Sequence, residues 1–312
     1  MNKTKTVYVT TSIPYVNAPP HIGHALELVQ ADVLARSYRL LGNTVVLQTG
    51  TDENASKNVA AAENLGIGTQ ELVDRNSGLF RDLVRAIDFS DHTFVRTTDA
   101  QHSVGVQELW GRLDPGDLYW GEYEGLYCRG CEDFLSSAQL VDGRCPDHLQ
   151  EPEQTKERNL FFRLSRYEQD LERLLSSDRL QIQPTGRKEE ILNFVRSGLR
   201  DISISRPAER VSGWGIPVPG QEDQIIYVWI DALINYLSGL GFGNGETWAQ
   251  TWNDTSHKTH VVGKNVWKFH AVYWPALLLS AKLDLPDRIC VHGFLTVDGR
   301  KISKSLGNTV DP

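Results

Sequence analysis

The sequence predicts an α/β protein whose parallel sheet is interrupted by an insertion, and three observations carry that expectation. The chain opens on a strand–helix–strand unit, alternating strands and helices return near its end, and the stretch between them has a different texture. A strand–helix–strand unit of this length implies a parallel pair joined by a right-handed crossover.

Residues 6–11 are rich in β-branched side chains and read as a strand. The loop 12–20 carries Pro14, Pro19 and Pro20. Over residues 22–41 the apolar positions Leu26, Val29, Val33, Leu34, Tyr38 and Leu41 recur at helical spacing; Gly42 and Asn43 stop the helix, and 44–49 form the next strand. Two alternations come late: a strand at 224–229 with a helix to Leu240, then a strand at 260–262 with a helix over 266–282. Residues 288–292 form the last strand, in which Cys290 is expected to be buried and inert. The range 114–200 holds a cysteine cluster, a polar stretch at 150–156 and a helix pair. The expected organisation is therefore 1–113 and 201–312 as two halves of one nucleotide-binding fold, with 114–200 inserted between them.

Composition limits what such a fold could do. Of 312 residues, 40% are apolar and 23% charged, an ordinary globular balance. No apolar run reaches the roughly 18 residues of a spanning helix, and the N-terminus lacks a signal-peptide core. A net charge of −8 argues against a surface devoted to gripping nucleic-acid phosphates. Residues 253–312, however, hold eight Lys and Arg against five Asp, a local excess that suits an anionic small ligand. Of the four cysteines, three cluster with a histidine, which reads as a metal site in a reducing, cytoplasmic compartment.

Three motifs carry chemistry. His21-Ile22-Gly23-His24 stands at a helix start, where free N–H groups and the helix dipole attract phosphate. Two imidazoles there can donate hydrogen bonds as charge shifts in a transition state, and Gly23 lets a nucleobase approach the backbone. Far away, Lys301-Ile302-Ser303-Lys304-Ser305 places two lysines and two hydroxyls in a glycine-flanked loop able to clamp a triphosphate. Cys128-Arg129-Gly130-Cys131 and Cys145-Pro146-Asp147-His148 form two knuckles with the spacing of a closed, structural Cys₃His zinc site. Asp52 follows the second strand at its C-terminal end, where doubly wound sheets place ligands, and its carboxylate can bind an ammonium. Trp229, Ala232, Leu233 and Tyr236 share one helical face, and Val266 and His270 another. With Ile13 and Tyr15 they would build an apolar, aromatic slot suited to a thioether.

Together the histidine and lysine motifs resemble the paired signature of class I aminoacyl-tRNA synthetases. The phrases Ile13-Pro14-Tyr15-Val16-Asn17, Thr49-Gly50-Thr51-Asp52-Glu53, Tyr227-Val228-Trp229-Ile230-Asp231-Ala232 and Gly263-Lys264 resemble the methionyl-tRNA synthetase family in particular. The resemblance implies a Rossmann-like parallel sheet split by a zinc-binding connective insertion. The implied reaction is attack of an amino-acid carboxylate, methionine first among candidates, on the α-phosphate of ATP-Mg²⁺. In that reading Lys304, assisted by Lys301, neutralises pyrophosphate charge opposite His21 and His24. Ser303 and Asn265 belong to the ATP site, and Arg206 stands near substrate carboxylate and phosphate.

Two departures from the family qualify the resemblance. Asn265 stands where the family usually has aspartate, so a second negative charge beside the substrate ammonium is missing; Trp267, in place of an aliphatic residue, is expected to pack behind the pocket. The sequence also stops soon after the lysine loop, where the family continues into a helical anticodon-binding domain. A stand-alone paralogue that passes the aminoacyl group to a small molecule would resemble the synthetase-like parts of bacterial hydrazine-forming enzymes. The expected acceptor is a small amine or N-hydroxylated amine, with a truncated ligase charging tRNA as the alternative and a small nucleotidyltransferase or non-catalytic binding module as the second; the protein is expected to be a monomer away from membranes.

Overall fold

A computed structural model describes residues 5–146, 149–297, 300–302 and 310–312, with the backbone alone for Asp133, Arg300 and Lys301. Its first half runs β1 (Thr6–Thr11), α1 (Ile22–Leu40), β2 (Thr44–Thr51), α2 (Ser56–Leu65), α3 (Thr69–Ala86), β3 (Thr93–Arg96) and α4 (Ala100–Arg112). An antiparallel piece follows, built on β4 (Leu118–Cys128), β5 (Asp133–Leu135) and β6 (Glu153–Phe162). The chain then passes through α5 (Glu168–Ser176), β7 (Gln181–Gln183), α6 (Thr185–Arg196), β8 (Ile202–Ser203), β9 (Ser205–Pro207), β10 (Pro217–Val218) and β11 (Gln221–Ile226). Helices α7 (Val228–Leu233), α8 (Asn235–Ser238) and α9 (Thr247–Asp254) lead to β12 (His257–Gly263). A π-helical turn (Phe269–Tyr273), α10 (Trp274–Ser280), β13 (Arg288–His292), β14 (Thr296–Val297) and β15 (Arg300–Lys301) complete it.

Six strands form the central sheet in the order β3-β2-β1-β12-β13-β7, every neighbouring pair parallel. Strand β1 sits inside it, and its alternation divides the core. Val7 and Val9 pack to one face with Leu28, Ala31 and Ala35 of α1, while Tyr8 points to the other, among Trp252, Trp274 and Tyr236. This is the expected Rossmann-like architecture. No helix among the described residues is long and apolar enough to cross a membrane.

Five expectations change in detail. Leu28, Ala31 and Ala35 of α1 are buried in the core with Val7 and Val9, and Leu34 and Tyr38 of the expected stripe pack against that core, whereas Val29, Val33 and Leu41 are exposed. Small alanines let the helix lie close to the sheet, so only part of the bulkier stripe turns toward it. The strand expected at 224–229 ends at Ile226 and pairs antiparallel in a small separate sheet, β10-β11-β9, while Trp229 already belongs to α7. The helix expected over 266–282 contains a π-helical turn just before Pro275, which lacks the N–H that Ala271 would need. The range 114–200 contains β7, the edge strand of the central sheet, so the antiparallel sheet β5-β4-β6-β8 accounts for only part of it. Cys290 is half-buried, not buried, with its thiol 3.7 Å from Gln183 Oε1.

Candidate active site

The chain crosses from its first half to its second between β1 and β12, and ligands of doubly wound sheets bind at the carboxyl ends of strands flanking such a switch point. A cavity of about 590 Å³ opens there. Ile13 and Tyr15 reach it from the loop after β1, and His21, Gly23 and His24 from the start of α1. Trp229, Ala232, Leu233 and Tyr236 line it from α7 and α8, and Asn265, Val266 and His270 from the segment after β12. Trp267 faces away, edge-on to Phe194 at 5.4 Å between ring centroids.

At the α1 end, His21 is the N-cap. Its Nδ1 accepts from the Gly23 N–H at 3.1 Å, and His24 Nδ1 accepts from the His21 N–H at 3.0 Å. The rings stack at 3.9 Å. A neutral imidazole that accepts at Nδ1 carries its proton on Nε2, so both rings are donors at the opposite nitrogen. Gly23 has a local steric reason beside the one expected: a Cβ there would lie 2.8 Å from His21 Cε1. The lysine motif approaches the same end. Ile302 is buried and lines the cavity, and beyond the loop the Val310 carbonyl accepts from the Ile22 N–H at 2.9 Å. Ser303, Lys304 and the Lys301 side chain lie outside the described residues.

Glu27, one helical turn beyond His24, was not anticipated. One carboxylate oxygen accepts from the Ser12 N–H at 2.8 Å and the Ser12 hydroxyl at 2.5 Å; the other lies 2.8 Å from His292 Nε2. His292 Nδ1 is 2.8 Å from the Gly293 carbonyl, so both ring nitrogens face acceptors. Burial works against its charge, but the Glu27 hydrogen bond and charge prevail and raise its pKa above the ordinary histidine value. The signal for both was present: Glu27 shares the His24 face, and His292 ends a strand.

The other end is aromatic and neutral. Trp229 stacks on Phe269 at 3.8 Å and meets Tyr15 edge-on at 5.7 Å. The Tyr236 hydroxyl is 2.6 Å from His270 Nε2, and His270 Nδ1 is 2.9 Å from the Val266 carbonyl. Because a carbonyl only accepts, Nδ1 donates and Nε2 receives the tyrosine proton. Burial lowers the His270 pKa to about 4, so the ring is uncharged at neutral pH. Long-range polar ties fix this wall. Gln48 Nε2 donates to the Asn235 carbonyl at 3.0 Å, and Asp231 holds His102 Nε2 at 2.6 Å and accepts from Asn54 Nδ2 at 2.7 Å.

Asp52 lies behind Tyr15, bridged to it through the backbone, and is wholly buried instead of lining the cavity. Its Oδ1 and the Tyr15 hydroxyl have no hydrogen-bond partner among the described residues. Burial, then the charges of Asp231, Glu132 and Glu53, push its pKa well above the usual carboxylate range. An ammonium nearby would reverse that shift. Arg206 departs from expectation. It is buried against Glu157 Oε1 at 2.7 Å, with its guanidinium 4.0 Å from the Tyr127 ring centroid, and it does not line the cavity. Strand β9 carries it beneath the antiparallel sheet, where a buried arginine requires a carboxylate partner. Lys57, also missed, does line the cavity, with Nζ 4.6 Å from the Tyr15 ring centroid.

The ligand atoms of Cys128, Cys131 and Cys145 lie within 4.8 Å of one another, the Cys131 and Cys145 sulfurs 3.5 Å apart. Tetrahedral zinc with bonds of about 2.3 Å sets sulfurs about 3.8 Å apart, so the three thiols fit that ion. The Cys131 N–H points at Cys128 Sγ at 3.4 Å. His148 lies outside the described residues.

A split, doubly wound fold with stacked histidines at a helix start, and Ile302 of the lysine motif lining the same cavity, defines a class I tRNA synthetase core. The family model described as tRNA synthetases class I (M) matches residues 7–154 and 148–312, and the chain belongs to that family. It is 45% identical to the methionine–tRNA ligase of Nostoc sp. over 99% of this chain and 58% of that protein. It is 42% identical to the chloroplastic/mitochondrial methionine–tRNA ligase of Arabidopsis thaliana over 100% of this chain and 51% of the relative. Among solved structures, Mycobacterium tuberculosis methionyl-tRNA synthetase in complex with methionyl-adenylate superposes with a TM-score of 0.92 at 43% identity, covering 99% of this chain and 61% of that one. The chain thus spans between half and two thirds of the length of these relatives.

Proposed function

We propose that the protein activates methionine: its carboxylate attacks the α-phosphorus of ATP, the bond to the bridging oxygen breaks, and methionyl adenylate and pyrophosphate result. The observation that carries this reading is one cavity with phosphate-type donors at one end and an aromatic slot at the other. His21 and His24 donate from Nε2 to phosphate oxygens as charge moves onto the leaving pyrophosphate, with Lys301 and Lys304 opposite and Mg²⁺ on the nucleotide. Positioning and charge stabilisation supply the rate in such a displacement. Tyr236 and His270 meet the thioether, and Asp52 behind Tyr15 favours the ammonium. The M. tuberculosis relative, solved with methionyl-adenylate, supports the choice of amino acid. Methionine-dependent exchange of labelled pyrophosphate into ATP tests it.

Zn²⁺ held by Cys128, Cys131, Cys145 and His148 is the structural cofactor in this reading; a closed site supplies rigidity and no reactive position. One zinc per chain, lost in Cys145→Ser while the nucleotide fold survives, is the expected analytical result.

For the acceptor we propose a small amine or N-hydroxylated amine, on the ground of a net charge of −8 with only a local positive excess over residues 253–312. The second reading, transfer to tRNA, is favoured by the names of the relatives. Aminoacylation of tRNA at near-physiological salt, run beside product analysis with small acceptors, separates them. A cytoplasmic monomer completes the proposal, checked by light scattering and fractionation.

A further inference from the structure

The cysteine knuckle borders the cavity through Arg129 and Gly130, and Glu132 ties it further to the aromatic slot. Glu132 follows Cys131 directly and is buried, with a left-handed backbone (φ 49°) that a side chain rarely adopts. Its carboxylate reaches the start of α2, where Oε1 accepts from the Ser56 hydroxyl at 2.6 Å and the Lys57 N–H at 2.9 Å. Helix α2 has no side-chain cap from its own N-cap residue, Ala55, so Glu132 supplies that function from a distant strand connection. The same residue's carbonyl accepts from the Trp229 indole N–H at 3.1 Å and from the Tyr227 hydroxyl. Trp229 is the wall of the slot, stacked on Phe269 and edge-on to Tyr15. Lys57, whose N–H the carboxylate holds, covers the Tyr15 ring from the other side.

We propose that Glu132 is a positioning residue for amino-acid recognition: its two ends fix Trp229 directly and Tyr15 through Lys57, tying slot width to an intact knuckle. An acid in the left-handed region is held there because both its carboxylate and its carbonyl are occupied. Removing the carboxylate frees the turn to relax, and the carbonyl then leaves the indole. The nucleotide end is anchored by different elements, α1 and β13, and is untouched by this linkage.

The kinetic test rests on the reading of the slot as the methionine site. Glu132→Ala should raise the methionine KM in pyrophosphate exchange on the order of tenfold, while the ATP KM and kcat stay within about threefold, since one tenfold step equals about 1.4 kcal/mol. Glu132→Gln, which keeps a carbonyl oxygen for Ser56 and Lys57, should restore the methionine KM to within about threefold. Equal changes in both KM values, or no rescue by glutamine, overturn the proposal. Backbone hydrogen exchange in the ligand-free protein gives a readout independent of activity. Exchange at 227–233 and at 56–59 should quicken together in Glu132→Ala and recover in Glu132→Gln; unchanged exchange at 227–233 also overturns it. Wild-type protein without methionine-dependent exchange, but with the hydrogen-exchange response, would remove the substrate assignment and leave the linkage standing. Should Glu132→Ala fail to fold, Trp229→Phe, which deletes only the indole donor and keeps a ring, must show the same methionine-selective rise.

Discussion

The two ends of the cavity are built on opposite principles. At the α1 end the functional groups are polar, half-buried and close to charges: the stacked His21 and His24, and Glu27 paired to His292. At the α7–α8 end Tyr236 and His270 are buried and uncharged beside the half-buried Trp229, and the orientation of this wall is set by neighbours far away in sequence, such as Gln48 on Asn235 and His102 on Asp231. The difference teaches where each substrate's free energy originates. In the proposed reading, a triphosphate is met by donors that strengthen as charge moves. In the same reading, an apolar side chain is met by a shape fixed before it arrives, with His270 kept neutral by burial so that it can accept from Tyr236.

The largest expected break in that contrast lies at the phosphate end. Lys304→Ala should lower the exchange rate on the order of 10²–10³-fold, with ATP binding altered only a few-fold, as expected for a group acting mainly in the transition state. Single-turnover adenylate formation beside equilibrium ATP binding separates the two quantities.

At the aromatic end the effects should be smaller and should fall on affinity. Tyr236→Phe removes the proton donated to His270 Nε2 and leaves a buried acceptor unpaired, which costs about 1–3 kcal/mol. We expect the methionine KM to rise on the order of tenfold and kcat to change little; a kcat loss at unchanged KM would place Tyr236 in the chemistry instead.

Asn265 stands between the two ends, on the cavity wall beside Gly263. A charged hydrogen bond exceeds a neutral one by about 1 kcal/mol, so Asn265→Asp should tighten methionine about fivefold. Calorimetric titration measures this directly, and lost activity in that variant would mean the site is arranged for a different ligand.

The smallest effect is one of pH. The folded-state pKa of His292 is raised, so the Glu27–His292 pair contributes stability that is fully present below the unfolded value of about 6.5. That contribution is lost as pH rises through the folded value. Chemical denaturation from pH 6 to 9 should show the decline in wild type and a flatter profile in Glu27→Gln.

The same contrast governs what the sequence disclosed. His21-Ile22-Gly23-His24 was legible because capping and phosphate binding are local, and one turn of helix brings both rings together. The stripe Trp229, Ala232, Leu233 and Tyr236 was legible as a shared face, and all four residues line the cavity. The flank of α1 was not. Periodicity announces a helix, but close packing through Ala31 and Ala35 decided which side met the sheet. Strand β11 was misjudged because a short apolar run does not reveal its partner, and here it pairs antiparallel outside the main sheet. Arg206 was carried to the cavity by resemblance, whereas the buried carboxylate of Glu157, 49 positions away, claims it. Lys57 and Glu132 act through contacts that only the folded chain creates, and no spacing rule connects residue 132 to residue 229.

The central claim, that one cavity joins an ATP site to a preformed methionine slot, is tested most directly by pyrophosphate exchange screened across all twenty amino acids with purified protein. The account predicts exchange that depends on methionine, with the other nineteen at or near background. Exchange driven best by a charged or small polar amino acid, or none with any of them, would contradict it.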